Sequence, residues 1–280
     1  MVDNGSLRPE AGLMTRRVAR LLSDDIDIPV VAASLAHSNR IPVEALEGKA
    51  IPLLEALLDR ICLQPNLKEV IVIPLLLVTG GVIYQKIGAM VQDFSRRYTR
   101  PTIRMTEALV SESDPVEVGI VGMIYEQVRA TIEEHLLVEP RVVLVDHGSP
   151  DPTGARTRNY VATRLTELLG RIVEKVVPSS MERRDGVEYD FNEPLFERAL
   201  VESAQNGSGN IVLARLFLQP GKHNGKDGDV EQICLSVSSR YPSMRIYNLP
   251  AVFSEKRLVQ LLKRRLSQIR KSTKLKLSSC

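Results

Sequence analysis

Residues 141–155 read RVVLVDHGSPDPTGA and change character abruptly. A β-branched apolar run, Val142, Val143, Leu144 and Val145, stops at Asp146-His147-Gly148-Ser149, with Pro150 and Pro152 just beyond. Such a run, bounded by Gly and Pro, predicts a buried strand emptying into a loop. Its polar cluster then lies at the carboxyl end of a strand, where open α/β sheets place their ligands. The same residues also fit a simpler role, in which Asp and Ser cap the following helix.

The start of the chain echoes this stretch. Val2-Asp3-Asn4-Gly5-Ser6, then Arg8-Pro9-Glu10-Ala11, answers Val145-Asp146-His147-Gly148-Ser149, then Asp151-Pro152-Thr153-Gly154-Ala155. The offset is about 143 residues, from Asp3 to Asp146, the size of an ordinary domain. The segments behind the two motifs follow in the same order. Helical spacing carries Leu13, Met14, Val18, Leu21 and Leu22 in the first half, and Tyr160, Val161, Leu165, Leu168 and Leu169 in the second. Apolar strands follow at 28–34 and 173–180, then helices entered at Pro52 and Pro194, then core strands at 70–78 and 211–219. Helices at 87–98 and 230–241, short strands at 103–105 and 245–249, and closing helices at 117–136 and 255–269 complete the correspondence.

Strands alternating with helices, with no Asn-Gly hairpin joining short strands, predict α/β domains, each a mainly parallel sheet flanked by helices on both faces. The expected organisation is a tandem duplication: a first domain over 1–137, a second over 138–270, and a basic tail over 271–280. Only Met1 and Val2 precede the first motif, so the first strand is expected to be abbreviated, or the true start to lie upstream.

Composition narrows the class. An apolar fraction of 44% with 25% charged residues is that of a soluble globular chain. A net charge of +3 is too small to draw nucleic acid by bulk charge. The basic residues that crowd the chain after Lys256 fit a solvated helix face and tail. Cys62, Cys234 and Cys280 form no close pair, which argues against a disulfide framework or a structural zinc site and suits a reducing cytosol. No apolar run approaches the ~20 residues of a membrane span, and the amino terminus lacks the basic-then-apolar pattern of a secretory signal. A cytoplasmic protein without a nucleic-acid partner is expected.

Substitutions between the two copies carry the functional signal. His147 is answered by Asn4 and His223 by Val82, while Glu182, in Ser180-Met181-Glu182-Arg183-Arg184, is answered by Ala36 in Ser34-Leu35-Ala36-His37-Ser38. Only the second copy thus brings His, Glu and His to three strand ends. Two imidazoles and a carboxylate suit a divalent first-row metal, since both donor types are borderline or hard. An incomplete shell leaves positions open for exchange, as a working site requires. Imidazole also accepts protons near neutral pH. Each residue has a structural alternative: a loop histidine bonded to backbone, or an ion pair between Glu182 and Arg183 or Arg184.

The segment 221–229, GKHNGKDGD, reads as a flap over a large ligand, with Lys222 and Lys226 supplying charge and Asp227 and Asp229 capping the next helix. It lacks the phosphate-binding loop pattern, and the chain has no His-Glu-x-x-His run, no Gly-x-Ser-x-Gly elbow and no dinucleotide fingerprint. Ser149 has no second base placed to make it a nucleophile.

Strand-His-Gly-Ser, a strand ending in Glu after a small residue, and a strand ending in Gly-x-His together resemble the class II tetrapyrrole chelatases. The nearest resemblance is to the CbiX/SirB-type sirohydrochlorin chelatases in their tandem two-domain form, and it extends over both halves. It implies insertion of Co2+ or Fe2+ into sirohydrochlorin on the way to cobalamin or sirohaem, with the metal as substrate and no tightly bound cofactor. His147 and His223 would be the metal- and proton-handling histidines and Glu182 the site carboxylate. Ser149, Lys222, Lys226, Arg183 and Arg184 would meet the macrocycle and its carboxylates. In the long members of that family the working histidines lie in the first domain, whereas here they lie in the second. A non-catalytic metal- or tetrapyrrole-binding carrier derived from a chelatase is the alternative, and a hydrolase or phosphatase on a doubly wound sheet a third.

Overall fold

The structure is a computed structural model that describes the chain apart from residues 116–118, 219–222, 225–227, 251–252 and 278–280, with 270–277 described by backbone alone. The first sequence half supplies strands β1 (Val2–Asp3), β2 (Ala33–Ser34), β3 (Glu69–Val72) and β4 (Thr102–Met105), and helices α1 (Pro9–Ile26), α2 (Leu54–Cys62), α3 (Val82–Arg97) and α4 (Ile120–Glu134). The second supplies β5 (Arg141–Asp146), β6 (Val176–Ser180), β7 (Asn210–Arg215) and β8 (Arg245–Asn248), with α5 (Pro152–Leu169), α6 (Phe196–Gln205), α7 (Asp229–Arg240) and α8 (Glu255–Leu277).

Every strand pair is parallel, and the order β6-β5-β7-β8 forms one continuous sheet. In the first half β1 pairs β2 and β3 pairs β4. Val2 also hydrogen-bonds to Ile73 and Leu75, which continues the same order across β1. Registers repeat residue for residue. Asp3 faces Ser34 as Asp146 faces Ser180, and Val2 faces Pro74 as Val145 faces Arg215. The duplication read from the sequence therefore has its counterpart in the pairing. Of the apolar stretch 28–34 only Ala33–Ser34 is strand, because its partner β1 offers just two residues.

The chain forms two compact units, and they differ from the halves drawn from the repeat. One comprises Met1–Ser111 with Ser254–Cys280, the other Glu112–Phe253. Helix α4, the last of the first repeat, packs on α5 and β7, and α8, the last of the second, packs along α1. The expected boundary at residue 137 thus moves to the connection before α4. The physical reason is that each closing helix needs an apolar face to cover, and a helix of this pattern fits either sheet. The backbone of α8 continues to Leu277, into the stretch expected to be a tail.

In the second unit β5 and β7 are the buried centre: Val142 to Val145 and Ile211 to Ala214 have no exposed surface. Alternate side chains point to opposite faces. Val143, Val145, Ile211 and Leu213 pack under α6 and α7 with Phe196, Leu200, Val230 and Val237, while α4 and α5 cover the other face. Burial of each such side chain is worth about 1.5–3 kcal/mol, so the central pair is the rigid frame on which the strand-end loops stand. The chain leaves β5 to β6 on one side and returns to β7 on the other, so the strand order reverses between β5 and β7, the point where open α/β sheets leave a crevice.

Candidate metal centre

The turn after β5 is built to bring two strand ends together. Asp146 Oδ1 accepts from the Gly148 amide at 3.1 Å and from Ser180 Oγ at 2.6 Å. Gly148 has φ +92°, and a Cβ there would lie 2.1 Å from the Glu182 carbonyl oxygen. Only glycine tolerates both the left-handed backbone and that approach, and the approach sets His147 beside Glu182.

Arg158 of α5 secures the turn from beneath. Its side chain is fully buried, donates to Ser180 Oγ and to the carbonyls of Phe191 (3.0 Å) and Asn192 (3.3 Å), and lies 3.8 Å from Asp146 Oδ1. Burial raises the Asp146 carboxyl above the usual range, offset in part by Arg158, the Ser180 hydroxyl and the Gly148 amide; burial also lowers Arg158, offset by Asp146. Asn192, equally buried, accepts from the Ser149 amide at 3.0 Å and donates to the Ser149 carbonyl at 2.9 Å. Ser149 Oγ accepts from the Asp151 amide, and Asp151 caps α5 by accepting from Thr153. The capping role read for this stretch is therefore real, and it coexists with the site.

His147, Glu182 and His223 meet. Their ligand atoms all lie within 4.8 Å of one another. His147 Nε2 is 3.5 Å from Glu182 Oε1 and His223 Nε2 is 3.7 Å from Glu182 Oε2. The two imidazole centroids are 4.6 Å apart with the rings tilted by 45°. Donors about 2.1 Å from one ion lie at most about 4.2 Å apart, so small movements would bring all three within reach of one ion. Such movement is open to His147 and Glu182, whose side chains are exposed, whereas the His223 side chain is only 10% exposed. His223 Nδ1 is held by Asp229 Oδ2 at 2.7 Å, which turns Nε2 toward Glu182. A carboxylate behind an imidazole in this way orients it for a metal.

Asp229 was expected to cap α7. Instead Gly228 holds the cap position and Asp229 is the first helical residue, its Oδ2 bonded to His223 Nδ1. Arg183 is engaged by Asp190, Glu193 and the Gly186 carbonyl, so it braces its own loop rather than standing ready for a ligand. Arg184 lies exposed, 5.7 Å over the Tyr189 ring. Lys222, Lys226 and the expected cap Asp227 lie outside the described residues.

The first copy repeats the scaffold without the donors. Asp3 bonds the Gly5 amide, and a Cβ on Gly5 would meet the Ala36 carbonyl oxygen. Asn4 and Ala36 stand at the positions of His147 and Glu182, and Thr15, bonded to Asp3 at 2.6 Å, stands where the second copy has Arg158. The strand register carries His223 onto Val82, whereas the helix register, Phe94 against Val237, carries it onto Gly80; neither is a donor. A groove of about 600 Å³ in the first unit, between α3, β4 and α8, holds none of the triad.

A parallel α/β sheet thus brings two imidazoles and a carboxylate together at its switch point, a donor set that suits a divalent metal. Residues 141–269, the stretch that holds the triad, match the CbiX family model. Among solved structures the chain is similar to SirB from Bacillus subtilis with Fe3+, at TM-score 0.70 and 18% identity, covering 95% of this chain and 92% of that one. A sirohydrochlorin chelatase SirB from Bacillus subtilis subspecies spizizenii in complex with cobalt gives TM-score 0.65 and 16% identity over the same shares. DR2241 from Deinococcus radiodurans, a multi-domain protein with structural similarity to chelatases, gives TM-score 0.55 at 16% identity, covering 93% of this chain and 53% of that one. No curated protein sequence matches the chain. The sequence resemblance is thus borne out in the second copy by the family match and over the whole chain by the fold.

Proposed function

We propose that the protein inserts a divalent metal into sirohydrochlorin, with Co2+ or Fe2+ as the metal substrate, in cobalamin or sirohaem formation. The observation that carries this reading is the convergence of His147, Glu182 and His223 within 4.8 Å at the sheet's switch point. Metallation strips water from the ion, forms its bonds to the pyrrole nitrogens and releases two pyrrole protons. His147 and His223 hold the ion on one face through Nε2, and after it leaves for the macrocycle the freed imidazoles accept the protons. Glu182, between the two rings, balances the charge and relays protons outward. Asp229 keeps His223 pointed at the ion. The exposure of His147 and Glu182 lets the ion enter and leave, as turnover requires.

The donor set suits both metals, and the two SirB structures hold iron and cobalt respectively. An absorbance time course of sirohydrochlorin with each metal, with and without protein, tests the reading. Metallation faster than the spontaneous rate is expected. Tight binding of metal or macrocycle with no gain in rate would instead identify the carrier.

A further inference from the structure

Buried arginines in this chain come with partners. Arg141 pairs with Glu174, Arg158 meets Asp146, Ser180 and two carbonyls, and Arg265 donates to the carbonyls of Ala108 and Leu109. Arg215 differs. It is 6% exposed, its Nε has no hydrogen-bond partner, and no carboxylate pairs with it among the described residues. An unpaired buried charge is strongly unfavourable, and proteins keep one only where something compensates it.

Its position indicates what compensates. Arg215 is the last residue of β7, in register with Val145, directly before the segment that carries His223. It projects from the face that holds Ile211 and Leu213, under α7, and Cys234 of that helix feels its charge. The matched position in the first copy, opposite Val2, is Pro74. The unpaired cation therefore occurs at the strand end where the triad occurs and is replaced where the triad is lost.

We propose that Arg215 is an anion-binding residue of the site, whose guanidinium takes a carboxylate of the bound tetrapyrrole. This rests on the tetrapyrrole reading above. A planar guanidinium binds carboxylate in a two-pronged fashion, and the binding is strongest where water is excluded. The cost of keeping Arg215 unpaired is then recovered when substrate binds, which makes it a determinant of substrate affinity rather than of metal affinity.

The test measures sirohydrochlorin binding by absorbance, Co2+ binding without macrocycle, and thermal stability, for the full chain and for Arg215→Met and Arg215→Lys. Arg215→Met is expected to weaken sirohydrochlorin binding about tenfold or more, to leave Co2+ binding unchanged, and to melt no lower than the parent, since a charge without a partner has been removed. Arg215→Lys should restore part of the affinity. Equal sirohydrochlorin binding by parent and Arg215→Met overturns this inference alone. So does a large fall in melting temperature in both variants, which would make Arg215 structural. Protection of the parent by inorganic phosphate, lost in Arg215→Met while sirohydrochlorin binding is kept, would make it a free-anion site and also overturn it. A parent that binds no sirohydrochlorin overturns the function reading along with it.

Discussion

Asp229 decides which nitrogen of His223 faces Glu182. With Nδ1 held at 2.7 Å by the carboxylate, Nε2 points toward Glu182. Asp229→Ala leaves the imidazole free to rotate and to change tautomer. Titration with Co2+ should give an affinity lowered about 10- to 100-fold, with Asp229→Asn, which still offers an acceptor oxygen, falling between. An unchanged affinity in Asp229→Ala would remove the orienting role. His147, Glu182 and His223 were legible in the sequence because each breaks a matched pattern, standing opposite Asn4, Ala36 and Val82. Asp229 was not, because an acid at a helix start satisfies the capping pattern equally well. Arg158 escaped for another reason: an arginine on a helix reads as solvated, and its partners Asp146, Ser180 and Asn192 are distant in sequence.

The elements bring the donors together through close backbone approach at the strand ends. Gly148 and Gly5 occupy the same place in the two copies, with φ +92° and +87°, and a Cβ on either would collide with the carbonyl oxygen of Glu182 or Ala36. Either Gly→Ala change should cost stability by forcing a strained backbone, on the order of 1–3 kcal/mol. The consequences for metal should differ. Gly148→Ala pushes the Glu182 strand end away from His147 and should abolish Co2+ binding in calorimetry. Gly5→Ala, read by urea unfolding, should destabilise without affecting it. If both variants bind Co2+ as the parent does, the close approach is not what sets the triad. The order of elements was legible from apolar periodicity, which is local. The lengths were not: 28–34 reads as one strand, yet only Ala33–Ser34 pair with β1.

At the scale of the whole molecule, the sequence repeat and the compact units part company. A closing helix announces itself by its apolar stripe, but the stripe does not say which sheet it covers, so α4 and α8 could not be assigned from sequence. Residues 255–277 complete the unit that begins at Met1, where α8 packs along α1 and buries Leu258 and Leu262 entirely. Leu262→Ala should therefore cost about 2–5 kcal/mol, visible in urea unfolding. Co2+ binding, whose proposed donors lie in Glu112–Phe253, should be retained. Loss of metal binding together with stability would contradict that division. The central assignment is that chemistry belongs to the second copy alone. Its most direct test is the initial rate of Co2+ insertion into sirohydrochlorin by His147→Ala, Glu182→Ala and His223→Ala, set beside Asn4→Ala and Val82→Ala in the first copy. The three second-copy variants are expected to fall to the spontaneous rate and the two first-copy variants to keep the parent rate. Rates preserved in the former, or lost in the latter, would contradict it.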